Sequence, residues 1–159
     1  MKHNRTVGDI EEIKRKIRTK IWEIMEKRDI AIFPRPVYGR IPNFKMNETA
    51  AKRLIETKMF QKADVVFVCP DSPQRPVREA VLKEDKTLIM ATPRLRKGFL
   101  LLKPEYVPKG FEMKAATIRG AFRYGKIVTK PPYSIDLKVV GSVAVTLNGA
   151  RLGKGGGFS

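Results

Sequence analysis

Two short apolar runs, Val65-Val66-Phe67-Val68-Cys69 and Thr87-Leu88-Ile89-Met90-Ala91, decide the fold. The first stops at Pro70, and the second is stopped by Pro93. Neither alternates with polar residues, so each reads as a strand buried on both faces. Between them, Pro76 suits the first turn of a helix running to about Glu84, with Val77, Ala80 and Val81 facing inward. Apolar strands separated by a helix predict a parallel sheet covered on both sides.

Working outward, the order becomes helix, helix, strand, helix, strand. Asp9 to Arg28 reads as an amphipathic helix, with Asp9 placed to cap its start and Glu12 three residues on, as in a capping box. Ile10, Ile13, Ile17, Ile21 and Ile24 recur at spacings of three and four and form one apolar stripe. At about 100° per residue, Lys14 and Arg18 fall just off that stripe, one turn apart on the same flank. The proline-rich stretch from Phe33 to Phe44 reads as an extended connection. Asn47 is placed to cap a second helix whose apolar face is Ala50, Ala51, Leu54 and Ile55. Beyond Pro93, Arg94-Leu95-Arg96-Lys97-Gly98-Phe99 reads as a basic loop. Residues 100–132 yield no element, and residues 135–145 read as a strand with a turn beyond its end.

The chain's 159 residues suffice for one domain with a hydrophobic core. One cysteine, Cys69, excludes an internal disulfide, and the one histidine, His3, leaves no basis for Ser-His, Cys-His or two-His metal chemistry. No apolar run approaches the roughly 18–20 residues of a membrane span, and the first residues lack a signal-peptide core. A cytoplasmic protein with no membrane association is the expectation. Charge is the outlier: 33 Lys and Arg against 16 Asp and Glu leave +17. Such an excess favours an anionic partner, either nucleic acid, nucleotide phosphates or a polyanionic small molecule. A generic solubilising surface is the other reading, although ion-pair networks would bring more acids.

Chemistry concentrates in Asn148-Gly149-Ala150-Arg151-Leu152-Gly153-Lys154-Gly155-Gly156-Gly157-Phe158-Ser159. Glycines let successive backbone N–H groups turn toward one concave point, which suits phosphate oxygens. Arg151 and Lys154 add charge-assisted contacts. The segment follows the buried strand read just before it, and in open parallel sheets ligands bind beyond the carboxyl ends of strands, where this loop is expected to fall. The spacing matches neither a Walker loop nor a dinucleotide fingerprint. Composition alone leaves two readings open, a phosphate loop or a flexible tail.

Asp136-Leu137 followed by an apolar strand, then Asn148-Gly149 and Arg151-Leu152-Gly153-Lys154-Gly155-Gly156-Gly157-Phe158, closely resembles the signature of the 5-formyltetrahydrofolate cyclo-ligase family. Lys14, Ile17 and Arg18 reproduce that family's lysine, aliphatic and arginine spacing near the chain start. Phe33-Pro34-Arg35-Pro36, Arg40-Ile41-Pro42-Asn43-Phe44-Lys45, Thr92-Pro93-Arg94-Leu95 and Val140-Gly141-Ser142-Val143-Ala144-Val145 resemble its methenyltetrahydrofolate synthetase domain-containing subgroup. The similarity covers nearly the whole chain, so residues 1–159 are expected to form a single cyclo-ligase-like domain. The fold it implies is a three-layer α/β architecture: an open, mostly parallel sheet with helices on both faces, NagB/RpiA/CoA transferase-like, with its C-terminal part missing.

The resemblance further implies ATP-dependent conversion of 5-formyltetrahydrofolate to 5,10-methenyltetrahydrofolate, with ATP, Mg2+ and a reduced folate as partners. Carried over by position, Lys14, Arg15, Lys16, Ile17 and Arg18 would hold the nucleotide together with Arg151, Leu152, Gly153, Lys154, Gly155, Gly156, Gly157, Phe158 and Ser159. Arg151 is the expected catalytic residue, stabilising charge on the transferred phosphoryl group. The family's tyrosine pair is Phe158-Ser159 here, and its magnesium-binding aspartate falls past Ser159, so no metal ligand is assigned. The loop after the first strand, Pro70-Asp71-Ser72-Pro73-Gln74-Arg75-Pro76, has Asp71 as its one acid, and no folate-binding residue is assigned. Two rival readings use the same fold. One is a nucleic-acid-binding module using basic clusters such as Arg94, Arg96 and Lys97, or Arg119, Arg123 and Lys126, with RNA as partner. The other is a non-catalytic homologue that binds nucleotide as a regulatory ligand.

Overall fold

The computed structural model describes residues 6–156. His3, Gly157, Phe158 and Ser159 lie outside the described residues. Packing separates two compact units, residues 46–141 and residues 6–45 with 142–156, and each is described by itself.

The unit of residues 46–141 contains the two deciding runs. They form β1 (Val65–Val68) and β2 (Thr87–Ala91), paired in parallel with Val66 opposite Leu88 and Phe67 opposite Ile89. β5 (Leu137–Val139) lies parallel on the other side of β1. β3 (Phe99–Leu102) runs antiparallel to β2, and β4 (Lys126–Val128) antiparallel to β3, giving the order β4-β3-β2-β1-β5. Three neighbouring strands thus run parallel, and the antiparallel pair is at one edge. This central sheet, mixed and mostly parallel with flanking helices, is the expected α/β architecture.

Period-two alternation with both faces covered explains why the runs are apolar throughout except for Thr87 at the start of β2. Val66, Val68, Leu88, Met90, Leu100 and Leu102 all lie in one core cluster, whereas Phe67, Ile89 and Leu101 form another. Register aligns these rows across the strands, since Leu88 faces Leu102 and Ile89 faces Leu101. Each buried Leu, Ile or Val contributes about 1.5–3 kcal/mol. Onto the first cluster pack Ala51 of α2 (Asn47–Ile55), Phe60 of α3 (Lys58–Lys62), and Val77 and Val81 of α4 (Arg75–Lys83). Ala115 of α5 (Glu112–Ala115) and Ala121 of α6 (Ile118–Tyr124) complete it.

Several expectations need correction. α2 begins at Asn47, and its capping position is Met46 in the left-handed region, with no side-chain cap. Residues 100–132, read as featureless, hold most of β3 together with α5, α6 and β4. Phe99, read as loop, opens β3. Residues 135–145 are not one strand: β5 ends at Val139, and Ala144–Val145 form β6 in a different sheet. Asp136 sets the start of β5, because its carboxylate accepts from the backbone N–H groups of Asp64 at 3.0 Å and Val65 at 2.9 Å.

In the other unit, α1 (Val7–Lys27) starts at Thr6, not Asp9. The Thr6 hydroxyl accepts from the Asp9 N–H at 3.3 Å, and the Asp9 carboxylate accepts from the Thr6 N–H at 3.0 Å. Asp9 is therefore the acid of the capping box and not its first residue. The isoleucine stripe packs only in its second half. Trp22 is buried with Ala31, Val37, Ile41 and Val143, and Ile21 and Met25 border them. Ile10, Ile13 and Ile17 stay 42%, 39% and 43% exposed. The proline-rich segment is ordered against α1: the Trp22 Nε1–H donates to Arg40 O at 3.1 Å, and Glu26 accepts from Arg35 and from the Val37 N–H.

Candidate nucleotide site

The site is built within the unit that contains α1. β6 (Ala144–Val145) and β7 (Arg151–Leu152) form an antiparallel hairpin, with Ala144 opposite Leu152 and Val145 opposite Arg151. Its tip is closed by Thr146, whose N–H donates to Ala150 O at 2.9 Å, and by Gly149 at φ +91°. The Thr146 hydroxyl also donates to the Asn148 side chain. Asn148 and Gly149 thus serve the turn, a role their residue types suit. Contrary to expectation, the segment from Asn148 onward does not follow a buried strand of the main sheet. It leaves a two-stranded hairpin, because the turn-forming Asn148-Gly149 folds the chain back onto β6.

Val143 lies in the core with Trp22, and α1 contacts β6, so the hairpin is seated on the helix. This carries the glycine segment onto the flank of α1 that holds Arg18. Arg18 Nε donates to Gly153 O at 2.8 Å across 135 residues of chain. A hydrogen bond to a charged donor is worth about 1.5–3 kcal/mol. Gly155 has φ +97°, and a Cβ there would lie 3.3 Å from the Arg18 Cζ and Nη1. The guanidinium therefore lies directly against a backbone whose left-handed conformation favours glycine. Arginine carries five N–H donors, so the fork keeps four beyond the one given to Gly153.

The other expected residues are distributed as follows. Arg151 is exposed on β7, where its Nε donates to Ser142 Oγ at 3.1 Å. Ser142 was legible only as part of the run quoted for the family resemblance, and its role depends on a hairpin pairing that sequence did not reveal. Lys14, one turn before Arg18, is half-buried and ion-paired with Glu11 at 3.0 Å. Arg15 pairs with Glu12 at 2.6 Å, and Lys16 lies 3.9 Å from the same carboxylate, both on the exposed side of the helix. That arginine holds the Glu12 carboxyl below its ordinary value. Ile17 is 43% exposed. Leu152 and Gly153 are half-buried, whereas Lys154, Gly155 and Gly156 are exposed. The structure thus joins Arg18 to Gly153 and Gly155, with Arg151 two residues before Gly153.

Among the described residues no three His, Cys, Asp or Glu side chains are grouped to hold a metal ion. The magnesium implied by resemblance finds no protein ligand set there. Asp71, the acid of the loop after β1, is half-buried, and its carbonyl accepts from Arg78 at 2.9 Å. No helix among the described residues is long and apolar enough to cross a membrane.

Comparison with known proteins agrees with the resemblance. The chain is 44% identical over 149 residues to the mouse methenyltetrahydrofolate synthase domain-containing protein, covering 92% of this chain and 40% of that one. The human protein of the same name is 42% identical over 149 residues (92% and 39%), and the zebrafish protein 40% over 151 residues (93% and 40%). The chain therefore spans about two fifths of the length of these relatives. With the 5-formyltetrahydrofolate cyclo-ligase family matching residues 10–159, the chain belongs to that family.

Proposed function

We propose that the glycine segment and α1 bind the phosphates of ATP, and that the protein carrying them converts 5-formyltetrahydrofolate to 5,10-methenyltetrahydrofolate. The supporting observation is the Arg18 guanidinium set against Gly153 and Gly155. Cationic donors beside glycine backbone are the usual means of holding a polyphosphate. The family match spans residues of both units, which favours their acting as one cyclo-ligase-like domain.

In the reaction of this family, the formyl oxygen attacks the γ-phosphorus and ADP leaves. The neighbouring secondary amine nitrogen, outside the pteridine ring, then attacks the activated carbon and loses its proton, and phosphate departs. Such a transfer needs positioning and electrostatic stabilisation more than acid–base groups, which fits a chain whose one histidine is His3. Arg18 and Lys154 would hold the polyphosphate, Lys14 would turn from Glu11 toward it, and Arg151 would neutralise charge on the γ-phosphoryl group. Arg151 would exchange its hydrogen bond to the neutral Ser142 hydroxyl for a stronger one to a charged phosphate oxygen.

The test is absorbance of methenyltetrahydrofolate formed from 5-formyltetrahydrofolate and Mg-ATP, in parallel with ATP titration. Arg151→Ala should lower kcat at least about a hundredfold while ATP affinity falls far less. ATP binding by the wild type with no product formed would instead favour a nucleotide-binding homologue without turnover. No product and no ATP binding in the wild type would refute the proposal.

A further inference from the structure

We propose that the surface around Tyr106 and Tyr133, in the unit of residues 46–141, binds single-stranded nucleic acid, its rings stacking bases while its lysines contact phosphates. Residues 94–133 contain ten of the chain's lysines and arginines but only two acids, Glu105 and Glu112. The same stretch contains three of the four tyrosines, so charge and rings are concentrated together. The fold then brings them into contact. Lys126, at the start of the edge strand β4, places its Nζ 4.8 Å from the Tyr106 ring centre. Lys103, just after β3, lies 5.3 Å from the ring of Tyr133. The Tyr106 N–H donates to Lys103 O at 3.0 Å, so the two lysine–tyrosine pairs are neighbours.

The pattern recurs at the two helices that precede β4. Arg123 lies 5.6 Å over the ring of Tyr124, two residues before Lys126. Tyr124 in turn meets Phe111 at 6.3 Å, and Lys114 lies 5.0 Å over Phe111. Lys126 and Tyr133 are exposed, and the one nearby acid, Glu105, lies 4.0 Å from Lys103. Rings interleaved with cations along a groove or edge are what single strands require, because every base has a stacking face and every nucleotide a phosphate. A lysine resting on an exposed ring is held more weakly than a stacked base, so a strand can displace it and meet it again at phosphate. In a duplex the bases are already stacked on one another and cannot meet the rings, which makes duplex the poorer ligand.

Fluorescence anisotropy with labelled 12-nucleotide oligo(U), oligo(dT) and an RNA duplex, between 50 and 200 mM salt, tests this. Single strands should bind and weaken steeply with salt, the two oligomers distinguishing RNA from DNA and either supporting the proposal. Lys103→Ala with Lys126→Ala should weaken binding at least about tenfold and flatten the log–log salt slope by about 1.4, two contacts at roughly 0.7 each. Tyr106→Ala with Tyr133→Ala should weaken it about tenfold with the slope unchanged. Lys58→Ala with Lys62→Ala removes the same charge from α3 and should leave both near wild type. Salt-indifferent binding, tighter binding of duplex, no binding at 50 mM, or equal losses in the α3 control would each overturn the proposal. Should the tyrosine variant fail to fold, the lysine variant, at the exposed Lys126 and the half-buried Lys103, still decides.

Discussion

Gly155 at φ +97° faces the Arg18 guanidinium, so a methyl group there meets both backbone strain and a neighbour at 3.3 Å. Gly155→Ala should cost about 1 kcal/mol of stability from the left-handed backbone alone. It should also weaken ATP binding several-fold by pushing the guanidinium aside, a change that calorimetric titration would detect. Gly120 is a stricter case, since a Cβ there would lie 1.8 Å from the Lys114 carbonyl oxygen. That atom is backbone and cannot swing away, so Gly120→Ala should destabilise by more than about 3 kcal/mol in urea unfolding. Gly155 was legible in the glycine-rich segment, whereas Gly120 was not, because a lone glycine gives no sign of what lies above it. The helix start shows the same limit. Thr6 and Asp9 form a capping box, but Asp9 followed by Glu12 offered an equally good box one turn later.

At the scale of elements, Arg78 on α4 is the least replaceable polar residue of its unit. It is 2% exposed, donating from Nε to Ala116 O at 2.8 Å and from Nη1 to Cys69 O at 2.7 Å and Asp71 O at 2.9 Å. One side chain thereby joins the loop leaving β1 to the turn between α5 and α6. Burial lowers its pKa to about 10, with Asp71 partly opposing the shift, so it stays charged at neutral pH. Arg78→Met should cost about 3 kcal/mol or more by leaving buried carbonyls without donors, and Arg78→Lys should recover only part of this. Thermal unfolding of both variants would check the order. β1, β2 and α4 were legible because apolar runs end at prolines and Pro76 marks a helix start. β3 was not, since Phe99-Leu100-Leu101-Leu102 lies between a basic loop and Pro104 and resembles its continuation. α5 and α6 span Glu112–Ala115 and Ile118–Tyr124, too short for an apolar period to emerge.

Over the whole molecule, the +17 charge makes the remaining carboxylates valuable. Arg35 and the Val37 N–H lower the pKa of Glu26, Lys45 and Arg35 that of Asp29, and the Val65 and Asp64 N–H groups that of Asp136. Lowered carboxyl pKa values mean stability that is fully present above the ordinary carboxylate range and lost as pH falls through the folded values. The melting temperature should therefore be flat near neutrality and drop below about pH 4, where protonation also adds to an already large positive charge. A melt unchanged from pH 6 to pH 3 would contradict this. The site was half legible at this scale. Periodicity placed Lys14 and Arg18 on one flank of α1, and composition singled out the glycine segment. Their meeting depended on the β6–β7 hairpin, which local pattern could not distinguish from a core strand and a loop. That meeting is most directly tested by titrating Mg-ATP into the wild-type chain and Arg18→Gln, each verified as folded by circular dichroism. ATP should bind the wild type and bind Arg18→Gln at least about tenfold more weakly, as loss of a charged phosphate donor requires. Equal affinity in the two proteins would show that the nucleotide is not held where α1 meets the glycine segment.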